Sequence, residues 1–293
     1  MNRQDDMKKY FNSIMELKGA DEFKEMIRRL HTFLKNREAY SLTDVTLPNY
    51  LWVTNRGGGI TTMVNLFAEY LYAARAVEFC GTVKVFEFKL DYIAPDAFFS
   101  ELARLDNTIA SFAGHNRFYK GLICINIDEW MEHTGDDHFK KFMNYISSNN
   151  DRLLVIFCVH SDAKKFVEAI ESVISSHLRL ESLALRFPDA NELVEHIETR
   201  YIQNKGFSFT NNAKALLCDT ISELAAGKQF NGFKSIKQLA NDILYNILAT
   251  DLGGNQQISA EMLSCYEKGA TYVKRANAQT STKSAIGFTG RSV

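Results

Sequence analysis

The chain has 293 residues, 46% hydrophobic and 24% charged, which is enough apolar material for one large core or two smaller ones. Its formal net charge of −1 sets up no bulk field toward nucleic acid or anionic lipid, and no apolar run approaches membrane-spanning length. Five scattered cysteines (Cys80, Cys124, Cys158, Cys218, Cys265) form no C-x-x-C pair, which argues against a zinc site or disulfide framework. With a polar segment over residues 1–9 that lacks a signal-peptide core, the expected setting is a reducing cytoplasm.

Helical spacing of Ile14, Leu17, Phe23, Ile27, Leu30, Phe33 and Leu34 predicts helix over residues 5–40, broken near Gly19. A linker follows to residue 48. Short apolar runs predict strands over 51–53, 83–88, 121–127, 153–159 and 183–187. Helices are predicted between them over 61–76, 95–112 (Pro95 in its first turn), 138–147 and 162–175. Strand–helix alternation implies a parallel sheet covered on both faces. Beyond Pro188 the period is helical throughout, over 191–204, 210–226, 235–249 and 259–272, with no strand expected. The expected organisation is a helical segment and linker (1–47), an α/β domain (48–188), a helical domain (189–275) and a flexible Ser/Thr/Ala/Gly-rich tail (276–293).

Strand-like Tyr50-Leu-Trp-Val-Thr54 runs into Asn55-Arg56-Gly57-Gly58-Gly59-Ile60-Thr61-Thr62 and then an amphipathic helix. A phosphate-binding loop reads G-x-x-x-x-G-K-[ST] in that context. Gly59 takes the second glycine position and Thr61 the Ser/Thr position, but Ile60 stands at the lysine and Thr54 at the first glycine. Amides of Gly57, Gly58, Gly59, Ile60, Thr61 and Thr62 can still cradle phosphate. The cation that grips the β/γ oxygens is missing. Arg56 is the nearby cation that could reach back over the phosphates; the alternative is a solvated loop arginine.

Two further strand ends carry chemistry. Leu122-Ile-Cys-Ile-Asn-Ile127 leads into Asp128-Glu129, the pattern in which aspartate orders Mg²⁺ through its water shell and glutamate polarises the attacking water. The plain alternative is a strand ending in a solvated acidic pair. The apolar run over 153–159 ends at His160-Ser161, where open α/β sheets place ligands. Either residue could face a γ-phosphate, or His160 could simply bond a loop at the strand exit.

Strand–loop–helix, an Asp-Glu strand, a polar-tipped strand and four C-terminal helices together resemble the AAA+ ATPase superfamily, in particular the group with red-type Rubisco activase (CbbX) and stage V sporulation protein K. Lys18-Gly-Ala-Asp-Glu-Phe-Lys24 resembles that group's entry motif. Phe187-Pro-Asp189 with Glu192-Leu193 and Ile197 resembles its junction into the lid, and Phe230-Asn-Gly-Phe-Lys234-Ser-Ile-Lys237 its sensor-2 segment. Ile286-Gly-Phe288 resembles a short terminal tag, and the collinear similarity spans about residues 14–250.

The resemblance implies a three-layer αβα fold with a five-stranded parallel sheet and a smaller all-α lid. It implies ATP or ADP with Mg²⁺ as cofactors: Thr61 and Asp128 for the metal, Glu129 as catalytic residue, and His160 and Lys234 near nucleotide. Arg179, with Arg186 competing, stands near the position of a finger acting on a neighbouring subunit. Lys234 keeps the charge of the family's arginine without its bidentate fork. The stretch Leu90-Asp-Tyr92-Ile-Ala-Pro95 lacks the glycine of the family's pore loop, which weakens Tyr92 as a threading residue.

The expected function is a degenerate AAA+ scaffold or regulatory subunit with weak or absent ATP hydrolysis and weak or absent nucleotide binding. It would assemble with itself or with an active AAA+ protein partner, without membrane. The alternative is an active AAA+ ATPase that remodels a protein. Action on DNA is opposed by the near-neutral charge and the lack of a basic helix-turn-helix extension.

Overall fold

A computed structural model describes residues 3–41, 45–55, 57–77, 85–90, 100, 103–104, 107, 121–160, 164–249 and 256–266. Cys80, Arg56, Tyr92, Ser161, residues 276–293 and most of the helix predicted over 95–112 lie outside them. The chain divides into two compact units, Met1–Phe187 and Pro188–Val293.

The first unit opens with α1 (Arg3–Met15) and α2 (Asp21–Ala39). They are separated at Gly19, whose φ of 64° is the left-handed geometry glycine adopts without penalty. Then come β1 (Asn49–Thr54), α3 (Ile60–Ala73), β2 (Phe86–Lys89), β3 (Gly121–Asn126), a 3₁₀ turn (Asp128–Trp130), α4 (Asp137–Ser148), β4 (Leu153–His160), α5 (Lys164–His177) and β5 (Leu180–Leu185). The five strands form one parallel sheet in the order β2-β3-β4-β1-β5.

Strand alternation sorts the core into two layers. Tyr50, Trp52, Leu122, Cys124, Ile156 and Cys158 face Phe23, Ile27, Val64 and Phe67 of α2 and α3. Leu51, Ile123, Ile125, Val155 and Phe157 face Phe139, Phe142 and Ile146 of α4 and Ile170 and Ile174 of α5. Right-handed crossovers account for this division. The chain leaves β1 toward the far edge with α3 on one face, then returns through β3 and β4 to β5 with α4 and α5 on the other. Each fully buried Phe, Leu or Ile contributes about 1.5–3 kcal/mol. Asn49, 2% exposed, is buried with its polar atoms matched: Oδ1 accepts from Val155 N–H (2.9 Å) and Nδ2 donates to Asn150 (2.9 Å).

The second unit is mainly helical, as expected. α6 (Ala190–Ile197) starts in a capping box, with Asp189 accepting from Glu192 N–H (3.0 Å) and the Glu192 carboxylate accepting from Asp189 N–H (2.8 Å). α7 (Asn211–Ala225) is capped by Thr210, and α8 (Gly232–Leu248) follows. The helix predicted to continue to residue 204 widens into a π turn at Glu198–Ile202. There Glu198 is buried, accepts from Phe209 N–H (3.2 Å) and pairs with Lys214 (2.7 Å). The unit also holds a pair the sequence did not announce: β6 (Ser208–Phe209) runs parallel to β7 (Gln257–Ile258). Two residues per strand are too few for a period to register. The helix predicted over 259–272 is, within its described part, a 3₁₀ turn over Glu261–Tyr266.

Candidate functional site

β1 ends at Thr54, 3% exposed and flanked in register by His160 of β4 and Leu185 of β5. The glycines that follow are each demanded locally. Gly57 and Gly59 hold φ of 74° and 82°. A Cβ on Gly58 would collide with the Thr54 hydroxyl and stand 3.0 Å from the Asn55 carbonyl oxygen. That carbonyl accepts Gly58 N–H at 3.0 Å and closes the turn.

Gly59 is the N-cap of α3 and accepts Met63 N–H (3.1 Å), while no side chain caps the helix. The N–H groups of Ile60, Thr61 and Thr62 therefore lack intrahelical partners and point past the helix start, where an anion is favoured. Thr61 and Thr62 are exposed. Ile60, where a phosphate loop carries lysine, is half-buried and packs against the core layer of α1–α3.

At the end of β3, Asp128 is enclosed by its neighbours. Its Oδ1 accepts His160 N–H (2.6 Å), and its Oδ2 lies 2.8 Å from His160 Nδ1 and accepts from Asn126 Nδ2 at 3.1 Å. Asn126 Oδ1 accepts Asp128 N–H in return (3.1 Å). Burial disfavours the Asp128 charge, but the His160 imidazole, the His160 amide and Asn126 together outweigh it, holding the carboxyl below the usual carboxylate range. An ionised Asp128 places the imidazole proton on Nδ1, so the 3.2 Å approach of Asn126 Nδ2 to that atom is a contact between two donors. His160, one of two candidates for facing a phosphate, is thus bonded to the acidic turn.

Glu129 is exposed and pairs with Lys89 Nζ at 2.8 Å. Lys89 ends β2 and lies in register with Asn126. Beside the loop is a cavity of about 310 Å³. It is lined by residues 53–55, residues 184–185, Glu22 of α2 and Arg186.

Arg179 stands apart, just before β5, at the sheet edge opposite the glycine loop. It is exposed, and its Nη1 donates to the Thr46 carbonyl at 3.3 Å. Arg186 follows β5 at the loop's edge and pairs with Asp21 (3.2 Å). Lys234 is an exposed residue in the first turn of α8, in the second unit. The structure therefore brings together Thr54, Gly57–Thr62 amides, Asp128 and His160, and adds Asn126, Lys89 and Glu22, which the sequence reading left out. Asn126 carried a signal, since it closes a buried strand at the ligand-bearing edge.

Phosphate fits the loop's amides. Mg²⁺ fits less well: Asp128 and Thr61 are the ligands on offer, and both Asp128 oxygens already accept hydrogen bonds. Among the described residues no cluster of three or more His, Cys, Asp or Glu is placed to hold a metal.

No family model matches the sequence, and no curated protein sequence does. Solved structures match. An arginine-to-alanine variant of RuvB from Thermotoga maritima superposes with a TM-score of 0.51 at 11% identity, over 86% of this chain and 70% of that one. PCH-2 of C. elegans gives 0.54 at 9% identity, over 87% and 69%. At such identities the likeness establishes fold alone. The chain has the AAA+ ATPase fold, a three-layer α/β arrangement on a five-stranded parallel sheet with a helical C-terminal part.

Proposed function

We propose that this chain is a degenerate AAA+ protein: it holds a nucleoside phosphate weakly on loop amides, turns it over slowly or not at all, and serves as a scaffold or regulatory subunit. In this reading it assembles with itself or with an active AAA+ partner. Residues 189–275 act as a lid offering Lys234 to nucleotide, and Arg179 is presented to a neighbouring subunit. No described helix is long and apolar enough to cross a membrane. Among the described residues, Cys124, Cys158 and Cys218 are free thiols, which suits a reducing setting.

The observation that carries the reading is Ile60 packed against the core at the first position of α3. Its side chain presents no donor where phosphate charge concentrates. A charge-assisted hydrogen bond contributes roughly 1.5–3 kcal/mol, and more at a transition state whose charge has grown. Hydrolysis therefore suffers more than binding. The state of the acidic pair supports the same conclusion, with Asp128 engaged by His160 and Asn126 and Glu129 by Lys89.

One observation favours the active alternative. Asp128 is held ionised beside the loop, as a metal-ordering carboxylate needs to be. The two readings part on Glu129→Gln. Phosphate release that falls with this substitution supports an ATPase that remodels a protein; release at background in both forms supports the scaffold.

A further inference from the structure

The acidic turn at the end of β3 is engaged in a way that leaves little for a divalent cation. A carboxylate has about four lone-pair sites. Three of those on Asp128 accept hydrogen bonds, from His160 N–H (2.6 Å), His160 Nδ1–H (2.8 Å) and Asn126 Nδ2 (3.1 Å). Its side chain keeps 22% of its surface accessible, and that of His160 21%. The fold builds this clamp. Ile127 N–H donates to the Cys158 carbonyl at 3.0 Å, which carries the β3–β4 ladder past Asn126 and into the turn. His160 is in turn the register partner of Thr54, from which the glycine loop leaves β1. Glu129, the other half of the acidic pair, holds Lys89 Nζ at 2.8 Å, so an ammonium stands where a dication would approach. Mg²⁺ demands near-octahedral oxygen ligands and gives up its water reluctantly. Among the described residues named for it, one Asp128 lone pair and the Thr61 hydroxyl remain to hold its shell.

We infer that the phosphate held on this loop is taken up as the metal-free anion, and that Asp128 acts as a strut joining β3 to β4 instead of ordering Mg²⁺. This rests on the reading of the glycine loop as a phosphate cradle. The two roles of Asp128 differ in what they do to binding. A carboxylate that orders Mg²⁺ makes nucleotide affinity depend on the metal, and its removal weakens binding only when the metal is present. A carboxylate that ties two strand ends together contributes to stability, and its removal acts alike with and without metal.

The test is equilibrium titration of the full chain with a fluorescent ADP analogue, in excess EDTA and in excess Mg²⁺, so that turnover plays no part. Affinity in EDTA should equal or exceed that in Mg²⁺, because the metal draws the free diphosphate into its own complex. D128N should leave the ratio of the two affinities unchanged while lowering stability to urea. A ratio is insensitive to a general loss of competent protein, so partial misfolding of the variant does not mimic metal dependence. Binding that weakens about tenfold or more in EDTA, the value of one charge-assisted bond, overturns the inference and leaves the phosphate-loop reading standing. A ratio that shifts about tenfold in D128N overturns the strut assignment. Failure of the analogue to bind in both buffers overturns the loop reading and the inference together.

Discussion

Replacing Ile60 by lysine changes one side chain at the point where the loop becomes α3. Ile60 is half-buried against the α1–α3 layer, so its loss costs about half of the 1.5–3 kcal/mol of a fully buried isoleucine, roughly 1 kcal/mol. Part of this is recovered because the lysine stem covers apolar surface while its ammonium reaches out. The new ammonium lies beside three helix N–H groups that lack intrahelical partners, and adds a charge-assisted bond worth roughly 1.5–3 kcal/mol to a bound phosphate. Nucleoside diphosphate should therefore bind about 10- to 100-fold more tightly to Ile60→Lys, at 1.4 kcal/mol per tenfold. Calorimetric titration of both forms measures the affinities, and urea unfolding measures the stability difference. Equal affinities in two equally folded proteins would refute the claim that the missing ammonium is what weakens this site.

Three other outcomes are expected. Gly58→Ala forces a Cβ into the Thr54 hydroxyl and the Asn55 carbonyl, and should destabilise the first unit by about 1–3 kcal/mol in urea unfolding while abolishing diphosphate binding. Asp128→Asn removes a charge whose folded-state pKa is depressed, so the stability it adds is present above its unfolded pKa of about 3.9 and lost as pH falls through the folded value. The gap in unfolding free energy between wild type and variant should be largest near neutral pH and close below about pH 4; a gap independent of pH would contradict the network. Glu198→Ala strips Phe209 N–H of its acceptor and Lys214 of its partner, and should cost the second unit about 1–3 kcal/mol, read by hydrogen exchange at Phe209.

The α/β order was legible because its strands are continuous apolar runs. Both sides of β3 and β4 are buried, so Leu122–Ile125 and Leu153–Val159 needed no alternation to be read as strands. β5 was placed three residues late. It is an edge strand with Glu181 and Ser182 in its first half, which hides its start behind polar residues. The two-residue strands β6 and β7 had no period to read. In the site, the glycines and Asp128 were visible as local patterns. The bonds that decide their chemistry join residues far apart in sequence, His160 to Asp128 across 32 positions and Lys89 to Glu129 across 40. Such pairings come from sheet order, which brings β2, β3 and β4 edge to edge. The half-buried setting of Ile60 likewise comes from how α3 docks on the sheet.

In the proposed reading, this chain holds phosphate on its loop amides without turning it over at an enzymatic rate. Continuous phosphate-release measurement on the purified full-length protein, with saturating ATP or GTP and Mg²⁺, tests it most directly. Release indistinguishable from that of Glu129→Gln is the expected result. Turnover on the order of one per second, within the ordinary enzymatic range and abolished by Glu129→Gln, would contradict it.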